Sequence, residues 1–302
     1  MTKSIVAVVR TVNNYSDIEK IEEAIQRTID LSGGLDLAQK YDRMIVKINL
    51  CDFRDPGTGA ITHPLFLDAF LKCLRDAFPS VEIYVVESDA TVARPNLFIK
   101  WFGFDHILEK WKAKWMNLSQ CRTVRRRIEG RYFSEIDVPE IFENSFFITL
   151  PKLKTSSVTK ITCALKNQLG CLPYPDKIKF HKRLDDVIVD ANLAFRPNLC
   201  LVDGVIGMVG TQGPAFGVPK RMGLVIAGAD PVAVDSFCAK ILGFNPYFIG
   251  HVRKASRAGL GSLRYTVVGD LAHDLKIDAE WSYTELMLMK VAQWLRNRSR
   301  RR

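Results

Sequence analysis

Five apolar stretches of this chain each run into charged or amide side chains. MIVKINL ends on Lys47 and Asn49, VEIYVVES on Glu87 and Ser88, FFITLPKLK on Lys152 and Lys154, NLCLVDG on Asp203, and GLVIAGADP on Asp230. Lysine ammonium groups hold phosphate or carboxylate oxygens, and carboxylates move protons or ligate Mg2+. A strand must end somewhere polar. Five ends of both signs on one sheet edge, however, make an anion-binding site with acid/base or metal-assisted chemistry, since ligands of open α/β sheets sit outside the strand carboxyl ends. In that reading Lys47, Lys152 and Lys166 hold the anion, and Asp203 with Glu87 or His63 transfers protons or coordinates Mg2+.

These carboxylates also have plain structural uses. Asp230 precedes Pro231 and the helical stretch VAVDSFCAKIL, the pattern of an N-cap with proline in the first turn. Asp203 before Gly204 can form an Asx turn, and Glu87 can bond loop amides. Asp235 lies among Val232, Ala233, Val234 and Phe237, where a carboxylate needs a partner.

Two loops allow close approach of backbone to a ligand. DPGTGAITHP (55–64) brings glycines, a hydroxyl and His63 to a helix N-terminus, where amides and the dipole favour anions. GVIGMVGTQGPAFG (204–217) contains five glycines, Gly213 among them, and reads as a lid or cradle. Neither is a phosphate-binding P-loop, because GxxxxGK[ST] is absent.

The stretch TKITCALKNQLGCLP (159–173) reads as an amphipathic helix: Val158, Ile161, Leu165 and Leu169 fall on one stripe, with Lys160, Cys163 and Asn167 nearly opposite and Lys166 at the flank. Gly170 ends the helix before Cys171, which argues against joint metal ligation by Cys163 and Cys171. Its polar face is either simply solvated or closes over the anion through Lys166 and Asn167.

The elements that must position these groups alternate. IVAVV, MIVKI, VEIYVV, FFITL, NLCLV and MGLVIAG read as strands, separated by amphipathic helices. Ser16 with Glu19 makes a capping box for the first helix, and Pro64 begins another. Further helices are expected at 95–115, around 183–195 and at about 282–298, with a basic strand-like stretch at 121–136. Short buried strands alternating with helices predict an α/β fold, a mostly parallel sheet with helices on both faces. One domain spans 1–275, with 90–140 breaking the alternation as an insertion or cap, followed by a C-terminal helix and basic tail over 276–302.

The 302 residues, 47% hydrophobic, suffice for a substantial core. No apolar run approaches the ~18 residues of a membrane span, and the N-terminal apolar run is too short for a secretory signal, so a cytoplasmic location is expected. The seven cysteines form neither CxxC pairs nor a cluster, so no intrinsic iron–sulfur cluster is expected. Much of the net charge of +10 lies in RTVRRRIEGR (122–131) and RNRSRRR (296–302). Such segments can bind nucleic acid or anionic lipid, but no RRM, KH or helix-turn-helix signature accompanies them.

Taken together, VKINL, GAITHP, VVES, LPKLKTSSVTKITCALKNQLG, FHKRL, LVDGVIGMVG followed by QGP, and ADPVAVDSFCAKILGF resemble the DUF362 family, a domain of unknown function. The resemblance runs from about residue 4 to 270. It implies functional positions at Lys47, Asn49, Thr62, His63, Glu87, Lys152, Lys166, Asn167, His181, Asp203, Asp230 and Asp235, with the last two and Asp203 as metal candidates. Many relatives carry an appended ferredoxin module, which this sequence lacks. It also has Val209 where relatives have an acidic residue, and Thr211-Gln212 in place of a shorter GNGP-type turn.

Three functions fit. The first is an enzyme acting on a small anionic metabolite, phosphorylated or carboxylated. The second is a redox accessory protein served by a separate iron–sulfur partner, as the family resemblance implies. The third is a non-catalytic anion or nucleic-acid binder using the basic segments.

Overall fold

The computed structural model of the chain describes residues 3–211, 216–270, 275–289 and 291. Its strands are β1 (Ser4–Arg10), β2 (Arg43–Ile48), β3 (Glu82–Glu87), β4 (Lys114–Asn117), β5 (Thr123–Arg127), β6 (Glu135–Pro139), β7 (Phe146–Leu150), β8 (Lys152–Ser156), β9 (Lys160–Thr162), β10 (Leu199–Val209), β11 (Val218–Gly228) and β12 (Tyr265–Gly269). Its helices are α1 (Ile18–Ser32), α2 (Pro64–Ala77), α3 (Pro95–Trp101), α4 (Phe104–Lys110), α5 (Ala164–Asn167), α6 (Leu184–Ala194), α7 (Pro231–Ile241) and α8 (Gly250–Arg257).

Ten strands form one sheet in the order β12-β1-β11-β10-β7-β2-β3-β4, with β8 and β9 continuing from β10. Most pairings along it are parallel, including β7 with β2, β2 with β3 and β3 with β4. The expected α/β architecture is therefore present. In β2, Met44, Val46 and Ile48 enter one core with Ile21, Ile25, Phe66 and Phe70 of α1 and α2. Ile45 points to the other face, where Phe147, Phe180 and Val187 pack. Each such fully buried side chain contributes roughly 1.5–3 kcal/mol, so both helical layers are held by the same strands.

Several local expectations are overturned by pairing and packing. Asp17 rather than Ser16 caps α1, its side chain accepting from the Lys20 amide. Residues 158–169 are not one amphipathic helix. Lys160 has a left-handed φ of 65°, which a helix cannot include, and Lys160–Thr162 pairs as a strand with β8. β-Branched residues at 155, 158, 159, 161 and 162 favour this hairpin, and Val158 is exposed at its tip. Only Ala164–Asn167 is α-helical.

The segment 90–140 is largely built into the sheet rather than inserted over it. β4 extends the sheet beside β3, and Phe98, Ile99, Phe104 and Leu108 enter the main core. Only β5 and β6 form a separate ribbon. Its arginines face acids: Arg125 lies 3.5 Å from Glu135, Arg126 3.5 Å from Glu143 and Arg127 3.4 Å from Glu135. The basic cluster at 122–131 is thus substantially balanced on its own surface. At the other end the boundary drawn at 275 does not hold, because Ile277 and Ala279 pack into the core of the second face. Residues 283–289 and 291 are helical; residues 290 and 292–298 of the expected helix, the basic tail 296–302 and Gly213 fall outside the described residues.

β11 runs antiparallel to β10, with Cys200 opposite Gly228 and Asp203 opposite Val225. Its carboxyl end therefore lies at the opposite sheet edge from those of β2, β3 and β7. Asp230 is there a cap: it accepts from the amides of Val232 and Ala233, the Ser4 hydroxyl and the Ser262 amide, at 2.6–2.9 Å. Replacing Asp230 with Ala should cost about 1–3 kcal/mol of unfolding free energy in urea, whereas Asp230→Asn, which retains the cap, should recover most of it. Equal losses for the two variants would contradict this role.

Candidate functional site

Parallel pairing of β3, β2 and β7 brings their carboxyl ends to one edge, where Lys47 stands opposite Val86 on one side and Thr149 on the other. The Lys47 side chain is fully buried. Its Nζ donates to Glu87 Oε2 at 2.8 Å, to the Ile48 carbonyl at 2.6 Å and to Asn167 Oδ1 at 3.3 Å. The Glu87 carboxylate also accepts from the Leu50 and Ser88 amides, so the loop-amide reading of Glu87 and the ion-pair reading are both realised. Gly170 passes directly over this pair: a Cβ there would collide with Glu87 Oε1 and with Lys47 Cε and Nζ.

Asn167, at the end of α5, joins the parts. Its amide nitrogen donates to the Lys47 carbonyl at 3.1 Å and to Thr149 Oγ1 at 2.9 Å, while its oxygen also accepts from Asn49 Nδ2 at 3.2 Å. Thr62 fixes Asn49 from behind, accepting from the Asn49 amide and donating to the Leu150 carbonyl. Lys154 enters from β8, donating to Asn49 Oδ1 at 2.8 Å and to the Ala60 carbonyl, with Cys51 Sγ at 3.6 Å. Lys166 reaches the hydroxyls of Ser156 and Thr159 at 2.9 and 3.0 Å. Lys177 donates to the Ser88 hydroxyl and to the Asp89 carbonyl.

These groups enclose a cleft of about 190 Å³ lined by Lys47, Asn49, Cys51, Glu87, Ser88, Ala90, Lys154, Thr162, Lys166, Asn167, Leu169, Gly170 and Lys177. Four ammonium groups and one carboxylate thus face one small space. Burial lowers the pKa of Lys166 to about 8, with help from the Lys154 ammonium. Burial also brings Lys177 to about 8, although Glu87 opposes the shift. Thr162 is 4% exposed, lines the cleft, and its hydroxyl has no hydrogen-bond partner among the described residues.

Lys152 and Asp203 form a second cluster that does not line this cleft. Both side chains are fully buried, with Nζ 2.7 Å from Oδ2. Asp203 also accepts from the Tyr15 hydroxyl at 2.7 Å, the His63 amide at 3.0 Å and, closing an Asx turn, the Val205 amide at 3.3 Å. The His63 ring stacks on Tyr15, with centroids 3.6 Å apart. His63 Nδ1 accepts from the Leu65 amide and so caps α2. Burial, then the Lys152 ammonium, depresses the His63 pKa to about 4. Burial followed by Asp203 raises Tyr15 well above its ordinary value.

Lys47, Asn49, Glu87, Lys166 and Asn167 therefore meet in the cleft, Thr62 supports them, and Lys152, Asp203 and His63 lie behind. His181 is exposed and close enough to Lys166 for that ammonium to add to the burial that lowers its pKa. Asp203, Asp230 and Asp235 do not converge. Asp203 is saturated by its own partners, Asp230 caps α7 at the opposite edge, and Asp235 is buried beside His251, 3.8 Å from its Nε2. Burial raises Asp235, and His251 opposes that rise. These residues do not fit a shared Mg2+, and among the described residues no group of three or more His, Cys, Asp or Glu is placed to hold a metal ion.

Tyr15, Lys177 and Cys51 carry no reading of their own in the sequence, and Gly170 reads there only as the end of a helix. Lys154 stood only as a strand end. Lys177 had a readable neighbour, lying just before the FHKRL motif, whereas nothing local marks Tyr15.

A family model described as a domain of unknown function, DUF362, matches residues 44–240, and the chain belongs to that family. The thylakoid-associated protein sll1697 of Synechocystis sp. (strain ATCC 27184 / PCC 6803 / Kazusa) is 25% identical over 281 residues, covering 88% of this chain and 84% of that one. The lactate racemase apoprotein of Thermoanaerobacterium thermosaccharolyticum is similar in fold, with a TM-score of 0.51 at 12% identity over 79% of this chain. This chain spans 57% of that protein's length. Among the described residues no helix is long and apolar enough to cross a membrane.

Two outcomes follow from the buried cluster. Lys152→Met leaves the Asp203 carboxylate without its cation and should lower unfolding free energy by about 3–5 kcal/mol; a loss below about 1 kcal/mol would show the pair to be dispensable. For His63, the ordinary pKa of 6.5 falls to about 4 in the folded chain. Only the unfolded chain takes up this proton in that window, so the stability His63 contributes is complete above about pH 6.5 and is lost as pH falls towards about 4. His63→Gln should flatten the acid limb of a urea stability profile over that range, and an unchanged slope would refute the buried neutral imidazole.

Proposed function

We propose that the cleft binds a small anionic metabolite, phosphorylated or carboxylated, and that the protein is an enzyme acting on it by proton transfer. The observation that carries this reading is the convergence of Lys47, Lys154, Lys166 and Lys177 with a single carboxylate, Glu87, around one enclosed space. Like charges crowded in a low-dielectric cleft repel one another, and an anion relieves that repulsion while gaining charge-assisted hydrogen bonds. The unpartnered Thr162 hydroxyl supplies a further contact that a ligand oxygen would satisfy.

Within this reading the lysines divide by partner. Lys47 is committed to Glu87 and shapes the floor. Lys154 and Lys177, bound to amide oxygens, main-chain carbonyls and a hydroxyl, have charge to share with the ligand. Lys166 and Lys177, with pKa values of about 8, can give or take a proton near neutral pH. Asp203 and His63 act from behind the cleft, holding Lys152 and the 55–64 loop in place. The acid-matched arginines at 125–127 favour this reading over nucleic-acid binding.

Isothermal titration with inorganic phosphate, pyrophosphate and short dicarboxylates tests it. At least one anion should bind, more weakly as salt rises and as pH rises through about 8, where Lys166 and Lys177 lose their protons. Lys177→Met removes one charged donor from a partly exposed position and should weaken binding about tenfold or more while leaving the fold intact. Binding that is indifferent to pH, salt and this substitution would sink the proposal.

A further inference from the structure

Three of the four cleft lysines hold Nζ against at least one oxygen that can only accept a hydrogen bond. Lys47 faces the Glu87 carboxylate, Lys154 faces Asn49 Oδ1 and the Ala60 carbonyl, and Lys177 faces the Asp89 carbonyl as well as the Ser88 hydroxyl. Carbonyl and carboxylate oxygens only accept, so each of those contacts takes an N–H from the lysine and offers nothing to a nitrogen lone pair. Lys166 differs. Among the described residues its partners are two hydroxyls, Ser156 Oγ at 2.9 Å and Thr159 Oγ1 at 3.0 Å.

The two hydroxyls are not equivalent. Thr159 donates its own proton to the Ile161 carbonyl at 2.9 Å, which leaves its oxygen to accept from Lys166. Ser156 Oγ accepts from the Thr159 amide at 3.4 Å and donates to no other group among the described residues. Its hydroxyl can therefore turn towards the lone pair of an uncharged Lys166 while Thr159 keeps accepting an N–H. The surroundings hold a neutral amine as well as a charged one. The nearby Lys154 ammonium tips the balance further, and Lys166 titrates near 8. A neutral, partly exposed amine facing a cleft is a nucleophile.

We propose that Lys166 is a carbonyl-reactive amine that forms an imine with an anionic aldehyde or 2-oxo acid seated in the cleft. This deepens the anion reading and rests on it, since Lys154 and Lys177 would hold the carboxylate or phosphate while Lys166 meets the carbonyl carbon. The neutral Nζ attacks that carbon to give a carbinolamine. Both amine hydrogens and the former carbonyl oxygen then depart as one water, leaving the C=N bond, with Ser156 placed to pass a proton between nitrogen and oxygen. Once its nitrogen takes a proton from solvent, the imine withdraws electrons from the adjacent carbon. The reactions it serves are those that break a C–H or C–C bond next to a carbonyl, without any redox partner.

The test uses the full chain with glyoxylate, pyruvate or succinic semialdehyde and sodium cyanoborohydride, read by peptide mass mapping, beside calorimetry with inorganic phosphate on the same preparation. A reduced adduct should form on Lys166 at least about tenfold faster than on exposed lysines, because more of its amine is neutral at pH 7. Its rate should climb as pH approaches about 8, fall when phosphate competes, and fall in Ser156→Ala, which keeps the lysine. Lys166→Arg, which retains the charge, should give no adduct in that peptide. If phosphate binds but none of the three probes labels Lys166 ahead of the surface lysines, the imine is overturned and the anion reading stands. If phosphate does not bind and Lys166 is unlabelled, both fall.

Discussion

The Lys47–Glu87 ion pair is the constraint around which this end of the molecule is arranged. Removing two charges from water costs several kcal/mol per ion, and their mutual attraction offsets this only when the remaining hydrogen-bonding capacity is met. Here it is met from three directions: the Ile48 carbonyl at the end of β2 with the Leu50 amide beyond it, the Ser88 amide after β3, and Asn167 from α5. The pair thereby fixes the spacing of two strand ends and the seat of α5. Everything that lines the cleft is then placed relative to it.

The Lys152–Asp203 pair does a related job one layer deeper. It ties β8 to β10, and through the Tyr15 hydroxyl and the His63 amide it ties both to the loops after β1 and β2. Lys152 and Lys154 are two residues apart on one strand, yet one is neutralised inside and the other faces the cleft with amide, carbonyl and thiol partners. A short strand thus supplies both a structural cation and a receptive one. The chemistry of the cleft depends on that division, because an acid beside Lys154 would cancel part of the field that attracts an anion.

Much of the fold was legible in the sequence because buried strands and amphipathic helices announce themselves through local pattern. MIVKI, VEIYVV and FFITL became the parallel centre of the sheet, with Lys47, Asn49 and Glu87 at its edge as their positions implied. What failed was what depends on partners. The reversal of β11 is decided by its pairing with β10 and β1, and it carried Asp230 to the far edge. The 159–169 stretch has helical spacing, but strand pairing with β8 outweighed it. Lys177 and Tyr15 reach their clusters across long stretches of chain, and no spacing in the sequence encodes such a meeting.

Gly170 carries a consequence for the history of this protein. The backbone there lies against the Lys47 and Glu87 side chains so closely that the smallest branch would displace one of them. Position 170 is therefore not free to drift while both charges stand. A lineage that abandons the pair releases the glycine, and one that acquires a side chain at 170 has had to give up or rearrange the pair. In related chains this single position records whether the arrangement of the cleft floor has been inherited, and it does so where Lys47 and Glu87 themselves, each common at the end of a strand, would be ambiguous witnesses.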